Sequence, residues 1–167
     1  MSSPAELSAS ELPMDSTLTG PVLIIGSGLL GASIGLGLRA AGCEDVYVQD
    51  ISPTAEAVAQ DIGAGTSFYT LSEQERAALA PQLVVVAAPP DSAGAVCARA
   101  LNTYAPRPEA GYPGAVVTDV ASVKVQPLAD VLASGADASR YVGSHPMAGR
   151  EKSGPVAARG ELFQARP

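Results

Sequence analysis

Residues 22–42 read VLIIGSGLLGASIGLGLRAAG, and the fold turns on how this run is divided. No charge stands between Asp15 and Arg39, so a membrane span has to be weighed. Six glycines and Pro21 break that interval, and its apolar part divides instead into a short strand, a glycine turn and a helix. The uninterrupted apolar residues 22–25 suit a strand buried on both faces. Gly26-Ser27-Gly28-Leu29-Leu30-Gly31 follows at once, and a helix is expected from about Gly28 to Ala41, closed by Gly42. A second strand, DVYVQD, ends at Asp50, 19 residues after Gly31.

A glycine turn alone is weak evidence, because glycines mark many ordinary turns. Strand, turn, helix and acid in register match the dinucleotide-binding fingerprint. In that reading Gly26 makes the tight turn, Gly28 lets the backbone approach a pyrophosphate, and Gly31 lets the helix pack on the strand. The turn from Gly26 through Ser27, Leu29 and Leu30 then offers helix N-terminal N–H donors and a positive dipole end to phosphate. Asp50 would accept hydrogen bonds from the adenosine ribose hydroxyls. With no Arg or Lys in DISPT to meet a 2′-phosphate, NAD is favoured over NADP. The bland alternatives are a doubly wound fold whose glycines serve packing alone and an aspartate that caps a helix or turn. Gly35 and Gly37 are assigned to packing.

Working outward, strand and helix signals alternate. Ser52-Pro53 opens a helix closed near Gly63, a strand is expected over 66–69, and Ser72 with Glu75 forms a capping box. LVVVAAPP is a buried strand ending at the pair Pro89 and Pro90, and the next helix is expected from Asp91 or Ser92 to about Leu101. TYAPRPEAGYPG is a loop, AVVTD a strand, VQPLADVLAS a helix and RYVGS a sixth strand. The fold class is therefore α/β, a doubly wound, mainly parallel Rossmann sheet with helices on both faces. Ligands of such sheets sit beyond the C-terminal strand ends. Ala88, Pro89, Asp119 to Ser122, and Ser144 with His145 should converge there, near the nicotinamide.

The composition agrees with one domain. The 167 residues are 47% hydrophobic and 16% charged, as in a globular chain, and 17 acidic against 10 basic residues give a net charge of -7. That balance disfavours nucleic acid and anionic membranes as partners, so an anionic ligand needs a local site. Cys43 and Cys97 form no CxxC pair, so neither a metal site nor a disulfide framework is expected, and a reducing cytoplasm fits best. Residues 1–20 carry acids without Lys or Arg and lack an apolar segment. They are read as a flexible tail ahead of a dinucleotide-binding domain over 21–167.

GSHPMAGREKSG, residues 143–154, holds the single histidine. Following the sixth strand, His145 leaves the sheet at the cofactor edge, where an imidazole can take up the proton released by alcohol oxidation. A lone histidine is more often a surface or hydrogen-bonded core residue, so position carries this reading. The motifs GSGLLGAS, DVASVK and GSHPMAGREKSG, in that order, resemble those of the prephenate and arogenate dehydrogenase family, over roughly residue 21 to the end.

The resemblance implies an NAD- or NADP-dependent oxidation of the ring C4 alcohol of prephenate or arogenate, with loss of carbon dioxide, in tyrosine biosynthesis. It makes His145 the catalytic base and Ser122 the residue that hydrogen-bonds the reacting hydroxyl and helps orient the histidine. Ser122 is alternatively a helix N-cap before VKVQ. Glu151 corresponds to an acidic residue at the substrate mouth, Arg150 could attract substrate carboxylates, and Lys124 and Lys152 belong to the motifs without an assigned role. A solvated loop charge is the alternative for Glu151. The family normally continues into a helical second domain that forms a homodimer and supplies an arginine to the substrate. That domain is absent here, so the expectation is NAD binding with little or no turnover by this chain alone. The alternatives are another Rossmann dehydrogenase of small acids and a non-catalytic NAD-sensing module.

Overall fold

In the computed structural model, which describes residue 18 and residues 20–147 and 154–163, six strands form one parallel sheet. The strands are β1 (Val22–Ile25), β2 (Val46–Gln49), β3 (Thr66–Ser67), β4 (Leu83–Val86), β5 (Val116–Asp119) and β6 (Tyr141–Gly143). Their order across the sheet is β3-β2-β1-β4-β5-β6, the doubly wound order with its switch point between β1 and β4. Helices α1 (Leu29–Ala40), α2 (Pro53–Asp61), α3 (Glu73–Ala78), α4 (Pro90–Thr103) and α5 (Val125–Ala133) join them.

Burial on both faces explains the uninterrupted apolar runs. Val22 and Ile24 of β1 pack with Val46, Val48 and Val85 against Ala32 of α1 and Ala59 of α2. Leu23 points the other way, joining Val84, Val86 and Val117 beneath Cys97 and Leu101 of α4 and Val131 of α5. Successive side chains of a strand alternate between faces, so a central strand sandwiched by helices needs apolar residues at every position. Each such side chain, fully buried, contributes about 1.5–3 kcal/mol.

The expected caps form. Ser52 Oγ accepts from Ala55 N with Pro53 in the first turn of α2, and the Ser72–Glu75 capping box closes reciprocally at α3. Three expectations are corrected. The strand expected over 66–69 stops at Ser67, and Phe68–Thr70 form a 3-10 turn, because Glu56 Oε1 takes the Tyr69 N–H that a strand would give to its neighbour. Helix α4 starts at Pro90 and runs to Thr103, since proline lacks only an N–H that the first helical residue does not need. Ser122 is not a helix cap: α5 is preceded by Lys124 as its cap residue, without a side-chain bond.

After β6 the chain returns to the opposite face. A 3-10 turn at Pro155–Ala157 is followed by buried Ala158, which joins the α1 and α2 core, and Arg159 N donates to the buried Ser33 Oγ at 3.0 Å. Among the described residues no helix is long and apolar enough to cross a membrane.

Candidate functional site

The register of the sheet brings the candidate residues to one edge. Gln49 pairs with Ile25, Ile25 with Val86, Val86 with Asp119 and Asp119 with Gly143, so one row of residues crosses five parallel strands at their C-terminal ends. From that row emerge Asp50 after β2, the glycine turn after β1, Ala88 and Pro89 after β4, Ser122 after β5 and His145 after β6. Parallel pairing is the reason, because it sends every strand's C-terminus to the same side.

The glycine turn is shaped by close approach. Gly26 has φ +100, and a Cβ there would lie 2.4 Å from the Ala87 carbonyl oxygen of the neighbouring strand exit. A Cβ on Gly31 would lie 1.9 Å from Gly26 O, so this glycine lets α1 start against β1. At Gly28 a Cβ would meet nothing within 4 Å. The α1 N-terminus carries no side-chain cap and no acid in its first turn. Open space at Gly28 and uncapped N–H donors of a 12-residue helix fit a pyrophosphate, the anion that a negatively charged chain can hold only locally.

Asp50 is fixed against this turn. Its Oδ2 accepts from Ser27 N at 2.6 Å and Ser27 Oγ at 2.8 Å, and Oδ1 accepts from Ser52 N at 2.9 Å. Oδ1 therefore keeps acceptor capacity for a further hydroxyl, since a carboxylate oxygen takes about two bonds. Ser27 itself is fully buried, so it serves to join turn and acid.

On the other side of the switch point the loops after β5 and β6 are tied together. Asp119, 0% exposed, accepts from Ala121 N at 2.9 Å, from Tyr141 Oη at 2.5 Å and from the Lys124 ammonium, which forms an ion pair with it. Lys124 Nζ also donates to the carbonyl oxygen of Ser144 at 2.5 Å, one residue before His145. Ser144 closes the junction by donating from both N and Oγ to Asp119 O, at 3.0 and 2.6 Å. Burial, then the hydrogen bond and charge of Asp119, push the Tyr141 phenol up. Cys97 beneath the same carboxylate is pushed up to about 12, chiefly by burial and next by the Asp119 charge. Ser122 and His145 themselves are exposed at the open edge, and no hydrogen bond joins them among the described residues.

The arrangement can hold an extended anionic nucleotide from Asp50 across the glycine turn, with an imidazole and a hydroxyl beyond β5 and β6. Arg150 and Glu151 lie outside the described residues, as does Lys152. Reading the sequence missed Glu56 and Tyr141, and it placed Asp119 and Ser144 at this edge without their bonds to Lys124 and to each other. Lys124 and Asp119 both stand in DVASVK, but nothing in the motif shows that they pair or that Ser144 joins them.

The family model described as prephenate dehydrogenase, nucleotide-binding domain, matches residues 34–167. A probable prephenate dehydrogenase, NovF, of Streptomyces niveus is 41% identical over 145 residues, which cover 87% of this chain and 36% of that protein. A prephenate dehydrogenase of Lactococcus lactis subsp. cremoris is 32% identical over 145 residues, covering 86% of this chain and 38% of its own length. The crystal structure of the prephenate dehydrogenase of A. aeolicus, in complex with hydroxyphenyl propionate and NAD+, superposes with a TM-score of 0.72 at 28% identity, over 89% of this chain and 49% of that one. The chain thus spans a little over a third of the length of the two sequence relatives.

Proposed function

The chain belongs to the prephenate dehydrogenase family, as its nucleotide-binding domain, and from that premise we propose that it binds NAD and supplies the base for oxidative decarboxylation of prephenate to 4-hydroxyphenylpyruvate. The observation that carries this reading is the single row of the sheet from which the glycine turn, Asp50, Ser122 and His145 all emerge. Prephenate is preferred to arogenate because both sequence relatives bear that name.

Gly28 to Gly31 would hold the pyrophosphate on a turn shaped by Gly26 and Ser27, Asp50 Oδ1 would accept from the ribose, and Ala88 and Pro89 would border the path toward the nicotinamide. NAD is favoured because no Arg or Lys occurs between Asp50 and Arg76 to meet a 2′-phosphate. When bound, NAD supplies the hydride acceptor. His145 accepts the proton of the ring C4 hydroxyl as C4 is oxidised, and Ser122 Oγ hydrogen-bonds that hydroxyl and holds it toward the imidazole. Asp119 and Lys124 position both residues by tying the β5 and β6 exits. Arg150 and Glu151 are assigned to the substrate mouth. In this reading residues 21–167 are one domain of a cytoplasmic enzyme that works as a homodimer, with the family's helical domain completing the substrate site.

Calorimetric titration of the chain with NAD and NADP tests the cofactor assignment, and preferential NAD binding is expected. In the active enzyme, His145→Asn should lower turnover about 100 to 10,000-fold while leaving NAD affinity unchanged. Turnover that survives this substitution would remove His145 from the role of base.

A further inference from the structure

We propose that Glu56, buried behind Asp50, is a second specificity-determining residue for the nucleotide, which keeps a 2′-phosphate out of the ribose site. The inference rests on the reading of this edge as an NAD site.

Glu56 stands in the first turn of α2 and is 2% exposed. Its Oε2 accepts from the backbone N of Asp50 at 2.8 Å, and its Oε1 accepts from Tyr69 N at 2.6 Å and Ser67 Oγ at 2.5 Å. A backbone amide can only donate, so an obligate donor faces each oxygen, the arrangement a carboxylate requires and a carboxamide cannot satisfy. Among the described residues the ion pairs are those of Lys124 with Asp119 and Arg140 with Asp137, and neither involves Glu56. A buried carboxylate without a cation is costly to keep. Joining α2 to β2 and β3 explains the hydrogen bonds, but the residual negative charge beside the ribose acid calls for a separate account.

That charge bears on the nucleotide in two ways. A 2′-phosphate at the end of β2 would seek backbone donors there, and the Asp50 N–H is one of them. Glu56 has already taken it. The Asp50 carboxylate is also partly spent, since Oδ2 accepts twice from Ser27 and Oδ1 once from Ser52, which leaves room for a neutral hydroxyl. A phosphate would meet the Asp50 carboxylate together with that of Glu56, which holds the backbone N of the same residue, whereas a ribose hydroxyl needs only a free acceptor. Asp50 is therefore only part of the barrier, and removing its charge leaves NADP excluded by Glu56.

The test is calorimetric titration of the 167-residue chain with NAD and NADP, for the wild type, Asp50→Asn and Asp50→Asn combined with Glu56→Gln. Asp50→Asn is expected to weaken NAD binding and still disfavour NADP by about tenfold or more, and adding Glu56→Gln should raise the NADP to NAD affinity ratio about tenfold further. A purely structural Glu56 would change both affinities by the same factor, and an unmoved ratio would overturn the inference. Should the double variant not fold, as judged by circular dichroism, Asp50→Asn decides alone: equal binding of NAD and NADP by it makes Asp50 the whole barrier and overturns the inference. Failure of the wild type to bind NAD would overturn the cofactor reading and the inference with it. The other adverse outcomes strike the inference alone.

Discussion

A methyl group added at Gly31 would sit 1.9 Å from the Gly26 carbonyl oxygen, whereas one added at Gly28 would meet nothing of the protein within 4 Å. The two glycines of one motif therefore answer to different demands, and substitution separates them. Gly31→Ala should destabilise the fold by about 2–4 kcal/mol, because backbone has to shift to admit the new atom. Gly28→Ala should leave the thermal melting temperature nearly unchanged and still weaken NAD binding about tenfold or more, by filling the space left for the pyrophosphate. Melting curves and calorimetry on the two variants check both statements. The motif was legible because its spacing is local. Glu56 was not: an acid in the first turn of a helix ordinarily reads as a favourable dipole partner. Its role depends on Ser67 and Tyr69, which only folding brings to it.

At the scale of elements, the exits of β5 and β6 behave as one unit held by Lys124. Its side chain is 37% exposed and its partner Asp119 0% exposed, so removing the ammonium strands a buried carboxylate while giving up a partly solvated charge. Lys124→Met should cost about 2 kcal/mol, less than for a fully buried pair, and lower turnover of the active enzyme by loosening the residue before His145. Denaturant unfolding gives the first effect. On the role proposed for His145, the pH profile of turnover separates the second effect from simple unfolding. Lys124→Arg, which retains the charge but not the compact ammonium, should recover stability more than turnover. Element boundaries were read well where a local signal exists, as at Ser52 and Ser72. They failed at β3, where a distant carboxylate captured the Tyr69 amide.

At the scale of the whole molecule, several neutral acids lie in or against the hydrophobic cluster that includes Cys97 and Leu101 of α4. Burial pushes Cys97 from 9.0 up to about 12 and raises Tyr104, Tyr112 and Tyr141 above their ordinary 10.0. Below pH 9 both folded and unfolded chains keep these groups protonated, and their contribution is fully present. As pH rises from 9 toward 12 the unfolded chain ionises first, so stability is lost across that window. Cys97 alone, moved from 9.0 to about 12, should account for a loss on the order of 4 kcal/mol, read as a falling denaturant midpoint, and Cys97→Ala should flatten the early part of the slope. The same scale exposes an apolar stripe of Val125, Leu128 and Leu132 on α5, with Val142 on the edge strand β6. A concentration-dependent increase in apparent mass by light scattering is the expected consequence.

The sequence by itself determined the α/β alternation, the glycine turn, Asp50 at a strand end and the strands that deliver Ser122 and His145. These follow from apolar period, capping residues and short spacing, which are properties of neighbouring residues. The tertiary structure alone decided which strands lie side by side, and hence that five strand ends form one row. It alone paired Lys124 with Asp119 and Ser144, seated Glu56 behind Asp50, and returned residues 154–163 to α1 through Ser33. Contacts between residues far apart in the chain are made only when the sheet closes, and a buried polar group shows its partner only once the surroundings have excluded water.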